Sequence, residues 1–205
     1  MVCVHGLWMT GIDMSLLRRR LAHQLNCSVQ QFSYPTITRG MKHNTAALSD
    51  FVAKVPADRV HLVGHSLGGV LSLQMLRHFP TDKVGRVVCL GSPLVDSRVA
   101  RDYSRWQFGH QLVGKTLREG VLHDPLSHSD SQHETGVIAG SFGIGLGVFA
   151  PGLSKPHDGI VSVAETKLSG INDHLVMRIN HVGLLVNKQV ACQAGHFLQH
   201  GAFAH

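Results

Sequence analysis

The sequence predicts an α/β protein with an open, mostly parallel sheet of about six strands and helices on both faces. Short β-prone runs alternate with longer segments whose apolar residues recur at helical spacing. The run Val60–Val63 is also almost continuously apolar, which is typical of parallel strands buried on both faces. The predicted strands are Val2–Val4, Ser28–Tyr34, Val60–Val63, Arg86–Leu90, Gly136–Ala139 and Leu175–Ile179.

Each early strand is followed by a helical pattern. The first pattern consists of Met14, Leu17, Leu21 and Leu25. Pro35 closes the second strand, and Asn44 is predicted to cap a helix with the apolar face Leu48, Phe51, Val52 and Val55. The third strand leads at Leu67 into an almost wholly apolar helix, which we expect to pack deep in the molecule.

The segment 92–134 interrupts this alternation. It is rich in His, Ser and Asp, and it includes Trp106, Phe108, Leu112 and Leu117 at roughly helical spacing. We expect this segment to form a short cap or flap insertion, so that any cap over the sheet is small or absent. The whole chain, 1–205, is expected to be a single domain.

A closing helix is predicted after the last strand. Its expected inward residues are Val186, Val190, Ala194, Phe197 and Leu198. Gly201 is predicted to be its C-cap, because glycine adopts the left-handed conformation that ends many helices.

The composition is that of a soluble globular protein: 43% of residues are hydrophobic and 16% are charged. No apolar run is long enough to span a bilayer. The net charge is +6, and the basic residues are dispersed apart from Arg18–Arg20, a run more typical of a solvated helix face than of a nucleic-acid or anionic-lipid contact. We therefore expect no nucleic-acid partner, and leave a peripheral contact with lipid and the oligomeric state open.

Targeting and metal-binding signals are missing from the sequence. Met1 leads directly into Val2–Val4, without the charged and apolar regions of an export signal, so we expect a cytoplasmic protein. No HExxH, CxxC or closely spaced histidine cluster is present, so no metal site is predicted.

The strongest chemical signal is the motif Gly64-His65-Ser66-Leu67-Gly68-Gly69 between an apolar strand and an apolar helix. A nucleophilic serine on such a turn needs glycine two residues before and two residues after it, because the turn is too tight for side chains there. The helix that begins at Leu67 directs its amide groups at a developing oxyanion. The context predicts that Ser66 is a nucleophile.

A second oxyanion donor is expected in the loop after an earlier strand. The run His5-Gly6-Leu7-Trp8 fits that loop. We assign the oxyanion hole to the backbone amides of Leu67 and Leu7, with Trp8 as the alternative for the second donor.

A serine hydroxyl needs a histidine base, and the order along the chain in this architecture is serine, acid, histidine. His181 directly follows the last strand, and is better placed than His174, His196 or His200. Asp158, in His157-Asp158-Gly159, is the predicted acid. Asp96 is its rival, whereas Asp124 and Asp173 are expected to be surface residues.

Two further sets of residues are candidates for the surroundings of the site. Gly140, Gly143, Gly145 and Gly147 lack the spacing of a phosphate-binding loop and predict a flexible loop. Apolar residues that could line an acyl pocket, or equally belong to the core, are Trp8, Met9, Phe142, Ile144 and Leu146.

These four motifs together, around Gly6, Ser66, Asp158 and His181, resemble those of the bacterial lipase and esterase branch of the α/β-hydrolases. The likeness is greatest to small, nearly lidless lipases, and more distant to inositol-deacylase-like hydrolases of acylated lipids. The resemblance implies a catalytic triad of Ser66, Asp158 and His181, an oxyanion hole at Leu7 and Leu67, no cofactor, and a small-molecule or lipid ester as substrate. The segment 92–134 is longer than the smallest lipases have.

The sequence therefore predicts a serine hydrolase that cleaves carboxylic esters through an acyl-enzyme on Ser66. An acyltransferase or lipid deacylase with the same triad is one alternative. A non-catalytic ligand-binding module on a hydrolase scaffold is the other, although a binding role needs no nucleophile.

Overall fold

The computed structural model describes residues 1–104, 114–129, 132–143 and 153–205. In these ranges six parallel strands form one open sheet in the order β2-β1-β3-β4-β5-β6. The strands are β1 (Val2–Val4), β2 (Gln30–Phe32), β3 (Val60–His65), β4 (Val84–Leu90), β5 (Thr135–Gly140) and β6 (Asp173–Met177). The predicted fold class and the predicted set of strands are confirmed.

Six α-helices with both ends inside the described ranges flank this sheet, and residues 114–117 are also helical. The six are α1 (Ser15–Leu25), α2 (Met41–Lys54), α3 (Leu67–His78), α4 (Arg98–Ser104), α5 (Gly183–Val186) and α6 (Lys188–His200). A π-helical segment spans Arg118–His123, and short 3₁₀ turns span Ile12–Met14 and Ala164–Thr166. No helix in the described ranges has the length and apolar character that crossing a bilayer would require.

The sheet separates two buried apolar clusters. Alternate residues of β4 point to opposite faces, so Val87 and Cys89 join one cluster while Val88 and Leu90 join the other. The first cluster packs under α2 and α3, and the second under α1 and α6. Helices therefore cover both faces, as predicted.

The strand order places a natural binding crevice beside β1 and β3. The chain runs from β1 to β2 on one side and crosses back to β3 on the other. Ligands of open parallel sheets bind beyond the carboxyl ends of the strands where the order reverses in this way. The segments that leave these two strands begin with His5 and Ser66.

The prediction that Asn44 caps α2 is wrong. The helix begins at Met41, whose amide donates to Glu119 Oε2 at 2.7 Å. Asn44 is fully buried inside α2, where its side chain donates to the Pro35 carbonyl and to Thr116 Oγ1. A distant carboxylate therefore satisfies the helix start, and Asn44 ties the helix to two other segments.

The closing helix is confirmed in all but one residue. Val190, Ala194, Phe197 and Leu198 are buried, and Gly201 (φ 80°) caps the end with its amide on the Phe197 carbonyl. Val186 was predicted inward but is 49% exposed. The reason is a break: Val186 ends α5, and the next residue, Asn187, caps a separate helix by accepting from the Gln189 and Val190 amides.

The described parts of segment 92–134 pack onto the same core as α3. Their side chains in that cluster are Leu94, Ala100, Leu117, Val121 and Leu126. Trp106, Phe108 and Leu112, whose spacing predicted a helix, lie outside the described residues. The single domain over 1–205 and the cap remain predictions.

Candidate active site

Ser66 stands on a sharp turn between β3 and α3. Its backbone is held at φ 53° and ψ −124°, an uncommon conformation for a residue with a side chain. A Cβ on Gly64 would collide with the backbone of Gly69, and one on Gly68 with the Val4 carbonyl of β1. Glycine at position 64 therefore lets β3 and α3 meet in a tight turn, and glycine at position 68 lets that turn approach β1.

His181 and Asp158 form a buried pair at the same edge of the sheet. His181 Nδ1 lies 2.7 Å from Asp158 Oδ2, and the two residues are 6% and 1% exposed. The other carboxylate oxygen, Oδ1, accepts the amides of Ile160 and Val161 at 2.9 and 2.8 Å. Since an ionised carboxylate only accepts, Nδ1 of His181 carries the proton, and in the neutral ring Nε2 keeps its lone pair.

The structure gives the rival histidines other partners. His174 lies within β6, not before it as predicted, and its Nε2 is 2.8 Å from Thr166 Oγ1. His196 Nδ1 bonds the Ala202 carbonyl at 2.9 Å, and its ring lies against that of His200. Of these four candidate histidines, the one that lines the same cavity as Ser66 is His181.

The rival carboxylates also have other partners. Asp96 pairs with Arg101 and accepts the Ser97 amide. Asp124 is half-exposed and pairs with Arg77, and Asp173 bonds His205 and the Phe203 amide. The carboxylate that the structure brings to His181 is Asp158.

The loop after β1 faces the turn at Ser66. The backbone amides of Leu7 and Leu67 have no acceptor within the described residues, and both residues line the cavity described below. The amide of Trp8, the alternative donor, already donates to Thr36 Oγ1 at 3.3 Å. The geometry therefore favours Leu7 over Trp8 as the second donor.

A buried contact that the sequence did not reveal holds this loop. His5 Nε2 accepts the Tyr34 amide at 3.2 Å, so Nδ1 carries the proton and donates to the Gly6 carbonyl at 2.9 Å. The Tyr34 hydroxyl donates to the His5 carbonyl, and the two rings stack 4.6 Å apart. Burial lowers the pKa of His5, which keeps this neutral tautomer.

A cavity of about 210 Å³ with a mostly apolar lining opens beside Ser66 and His181. The predicted acyl-pocket residues Trp8 and Met9 line it. Phe142 does not; its ring is 39% exposed and lies under the Arg178 guanidinium. Ile144, Leu146, Gly145 and Gly147 lie outside the described residues.

Much of the cavity wall comes from segments that the sequence did not assign to it. Segment 92–134 contributes Pro93, Ser97, Val99, Ala100 and Leu117. Ile160 and Val161, beside Asp158, complete the apolar side. Among the residues with described positions, no three His, Cys, Asp or Glu side chains converge as ligands of a metal ion.

Residues 1–165 match the sequence pattern of the alpha/beta hydrolase family. The chain belongs to this family. The matched range contains Ser66 and Asp158 and ends before His181, whose position therefore rests on the structure. Comparison with curated proteins gave no sequence match.

Solved structures of other proteins share the fold at low sequence identity. The mature lipase BlEst2 of Bacillus licheniformis is 19% identical, with a TM-score of 0.74 over 97% of this chain and 89% of that one. The metagenomic carboxyl esterase MGS0156 is 15% identical (TM-score 0.70; 97% and 74% covered). The RedJ thioesterase of Streptomyces coelicolor is 17% identical (TM-score 0.61; 95% and 88% covered).

Proposed function

We propose that this alpha/beta hydrolase cleaves carboxylic esters through an acyl-enzyme on Ser66, with His181 as general base and Asp158 as its orienting acid. The observation that carries the proposal is the buried Asp158–His181 hydrogen bond beside a serine on a strained turn. Strained backbone that the surroundings over-determine is characteristic of functional sites. The similar structures, a lipase, a carboxyl esterase and a thioesterase by name, support the same class of reaction.

In the proposed first step, His181 Nε2 takes the proton of Ser66 Oγ as the oxygen attacks the ester carbonyl. The carbonyl π electrons move to the oxygen, which is then stabilised by the amides of Leu7 and Leu67. When the tetrahedral intermediate collapses, the bond to the alcohol breaks and the imidazolium returns the proton to the leaving oxygen. Water repeats the sequence on the acyl-enzyme and releases the acid and Ser66.

The oxyanion site gains from the position of Leu67. This residue is the first of α3, so its amide lies at the positive end of the helix dipole. Fixed donors of this kind stabilise charge that develops in the transition state and need no reorganisation. Gly6 permits the close approach of the loop, since a Cβ there would lie 3.0 Å from Ser66 Cβ.

The cavity indicates a substrate with an apolar acyl group. Its volume of about 210 Å³ is below the range of roughly 300–1,000 Å³ typical of drug-sized ligands, so it suits a single acyl chain of modest length. The lining is supplied largely by aliphatic residues and Trp8. A small-molecule or lipid ester of this description is the substrate class that we propose.

The decisive experiment measures hydrolysis of p-nitrophenyl esters of rising acyl length by the wild type and by Ser66→Ala. Fluorophosphonate labelling, located by mass spectrometry, reports the nucleophile directly. We expect turnover and label on Ser66 in the wild type and loss of both in the variant, with the best rate at intermediate acyl length. A folded wild type that neither labels nor turns over would leave the ligand-binding module as the better interpretation.

The same assay separates hydrolysis from acyl transfer. An acyltransferase would use the same triad but exclude water from the acyl-enzyme. Adding an alcohol acceptor and analysing the products by mass spectrometry distinguishes the two, because a transferase forms a new ester in preference to free acid.

A further inference from the structure

His65 is the last residue of β3 and directly precedes Ser66. Its side chain is only 1% exposed and lines the cavity beside the proposed base. The His65 and His181 rings are tilted by 50°, with 4.7 Å between their centroids. The catalytic scheme above assigns no role to this buried imidazole.

The contacts of His65 determine its protonation. His65 Nε2 lies 3.1 Å from the backbone carbonyl oxygen of His181, an atom that only accepts, so Nε2 carries a proton and donates it. His65 Nδ1 has no partner among the described residues, as expected for the unprotonated nitrogen of a neutral ring. Burial, and secondly the neighbouring His181, hold the pKa of His65 well below its ordinary value.

Among the described residues, three hydrogen bonds hold His181, and they come from two different segments. Asp158 supplies two: its carboxylate accepts from His181 Nδ1, and its carbonyl accepts the His181 amide at 2.9 Å. The third, from His65, links the base to the segment that carries the nucleophile. Within the described ranges no hydrogen bond joins Ser66 and His181 directly.

The ring of His65 also lies against the proposed oxyanion loop. A Cβ placed on Gly6 would be 3.2 Å from His65 Nδ1, which shows how closely the Gly6 backbone approaches the ring. Leu7, the proposed second oxyanion donor, follows directly. The His65 side chain therefore bonds the backbone of His181 and lies close to the backbone of Gly6. The residue itself belongs to the turn that carries Ser66.

We propose that His65 is a positioning residue, which fixes the placement of His181 relative to Ser66 by donating its Nε2 proton to the His181 carbonyl. The proposal rests on the proposed function. A neutral donor suits this place, because a permanent cation next to His181 would oppose the imidazolium that forms during the reaction. A shift of the base by an ångström is enough to lose much of the rate.

The test compares His65→Gln with His65→Met. Glutamine extends an amide N–H to about the position of Nε2, whereas methionine has a similar length without a donor. We measure kcat and KM for the best p-nitrophenyl ester, and the second-order rate constant of fluorophosphonate labelling. His65→Met is expected to lower kcat and the labelling rate by about 10- to 100-fold with KM within about twofold, and His65→Gln to restore most of the loss.

A spectroscopic readout separates positioning from general structural damage. The low-field proton resonance of His181 Nδ1–H, which reports the bond to Asp158, is expected to persist in both variants. Labelling of His65→Met at the wild-type rate would overturn the proposal, as would a glutamine variant no better than methionine when both melt like the wild type. If His65→Met does not fold, His65→Asn replaces it, because asparagine is polar but too short to reach the His181 carbonyl.

The wild-type result keeps this proposal distinct from the proposed function. Labelling of wild-type Ser66 with equal rates in all His65 variants would refute the positioning role alone. A wild type that neither labels nor turns over ester would refute the proposed function, and the positioning role with it.

Discussion

Asp158 uses its two oxygens for two different tasks. Oδ1 accepts the amides of Ile160 and Val161, and Oδ2 accepts the proton of His181 Nδ1. The first set of bonds fixes the carboxylate within its own turn. The second can then fix the orientation and tautomer of the imidazole, which is the role of the acid in a serine hydrolase.

Replacing Asp158 by asparagine is expected to invert this tautomer. The amide oxygen would stay on the Ile160 and Val161 amides, which turns the NH₂ group toward His181 Nδ1. That nitrogen must then accept, so the proton moves to Nε2 and the imidazole can no longer act as a base. We expect kcat to fall by about 10⁴-fold, as for the corresponding change in other triads. The melting temperature should change little, because the turn keeps its amide bonds.

Asp96→Asn is the matched control for this prediction. Asp96 is the rival acid in the sequence, but its carboxylate pairs with Arg101. Its substitution is expected to leave kcat close to the wild-type value. A large loss of kcat in Asp96→Asn together with an active Asp158→Asn would contradict the assignment of the acid.

Strand β4 ends beside the Asp158–His181 pair. The next residue, Gly91, has φ 55° and bonds its amide to the Ile138 carbonyl of β5. A Cβ there would lie 2.7 Å from Leu184 Cδ1, 3.0 Å from Asp158 Oδ2 and 3.2 Å from His181 Nδ1. The end of β4 therefore lies directly against the Asp158–His181 pair and forms a wall behind it, and a side chain larger than that of glycine does not fit there.

Gly91→Ala is expected to damage both stability and activity. The positive φ alone costs about 1–2 kcal/mol for a residue with a Cβ, and the methyl group would push the acid and the base apart. We expect a lower free energy of unfolding in urea and a loss of kcat by roughly 10- to 100-fold. Gly201→Ala is the control. Gly201 also has a positive φ, 80°, but the nearest neighbour of a Cβ there is the end of the Glu134 side chain, which does not belong to the proposed site. Equal kcat values in the two variants would argue against the wall.

The elements show which features a sequence can specify. The central strands β3, β4 and β5 were predictable because parallel strands buried on both faces leave largely apolar runs bounded by turns. The edge strands β2 and β6 are only partly buried and were located by their place in the alternation of strands and helices. The start of α2 was not predictable, because Glu119 satisfies the Met41 amide from a distant part of the chain. Val186 was misassigned for the opposite reason: a local break at Asn187 interrupts a periodicity that otherwise continues.

The site shows the same division. Ser66, Asp158 and His181 could be proposed as partners because each follows a strand, and the carboxyl ends of parallel strands share one edge. Their catalytic roles remain predictions. Other features depend on packing between segments that lie far apart in the sequence, so no local sequence pattern predicts them. They are the His5–Tyr34 contact, the wall at Gly91 and the cavity lining by Ala100 and Leu117.

Over the whole molecule, charge and burial both make the fold sensitive to acid. Sixteen histidines accompany a net charge of +6, so protonation below neutral pH adds positive charge to a chain that is already basic. The histidines at the proposed site act in a second way. His5 and His65 are buried as neutral rings, and burial lowers the pKa of each.

The sign of the resulting pH dependence follows from these lowered values. An unfolded histidine titrates near pH 6.5. Below that pH the unfolded state therefore binds protons that the buried rings of the folded state do not bind, and the free energy of unfolding falls. The slope for a fully buried ring such as His65 approaches about 1.4 kcal/mol per pH unit. Urea unfolding at pH 7.5, 6.5 and 5.5 is therefore expected to show a free energy of unfolding that falls as the pH falls. In His65→Gln the slope is expected to be smaller by up to about 1.4 kcal/mol per pH unit, the contribution of one proton. Gly201→Ala, which is destabilised without losing a histidine, should keep the wild-type slope; an unchanged slope in His65→Gln would show that this ring does not stay neutral in the folded state.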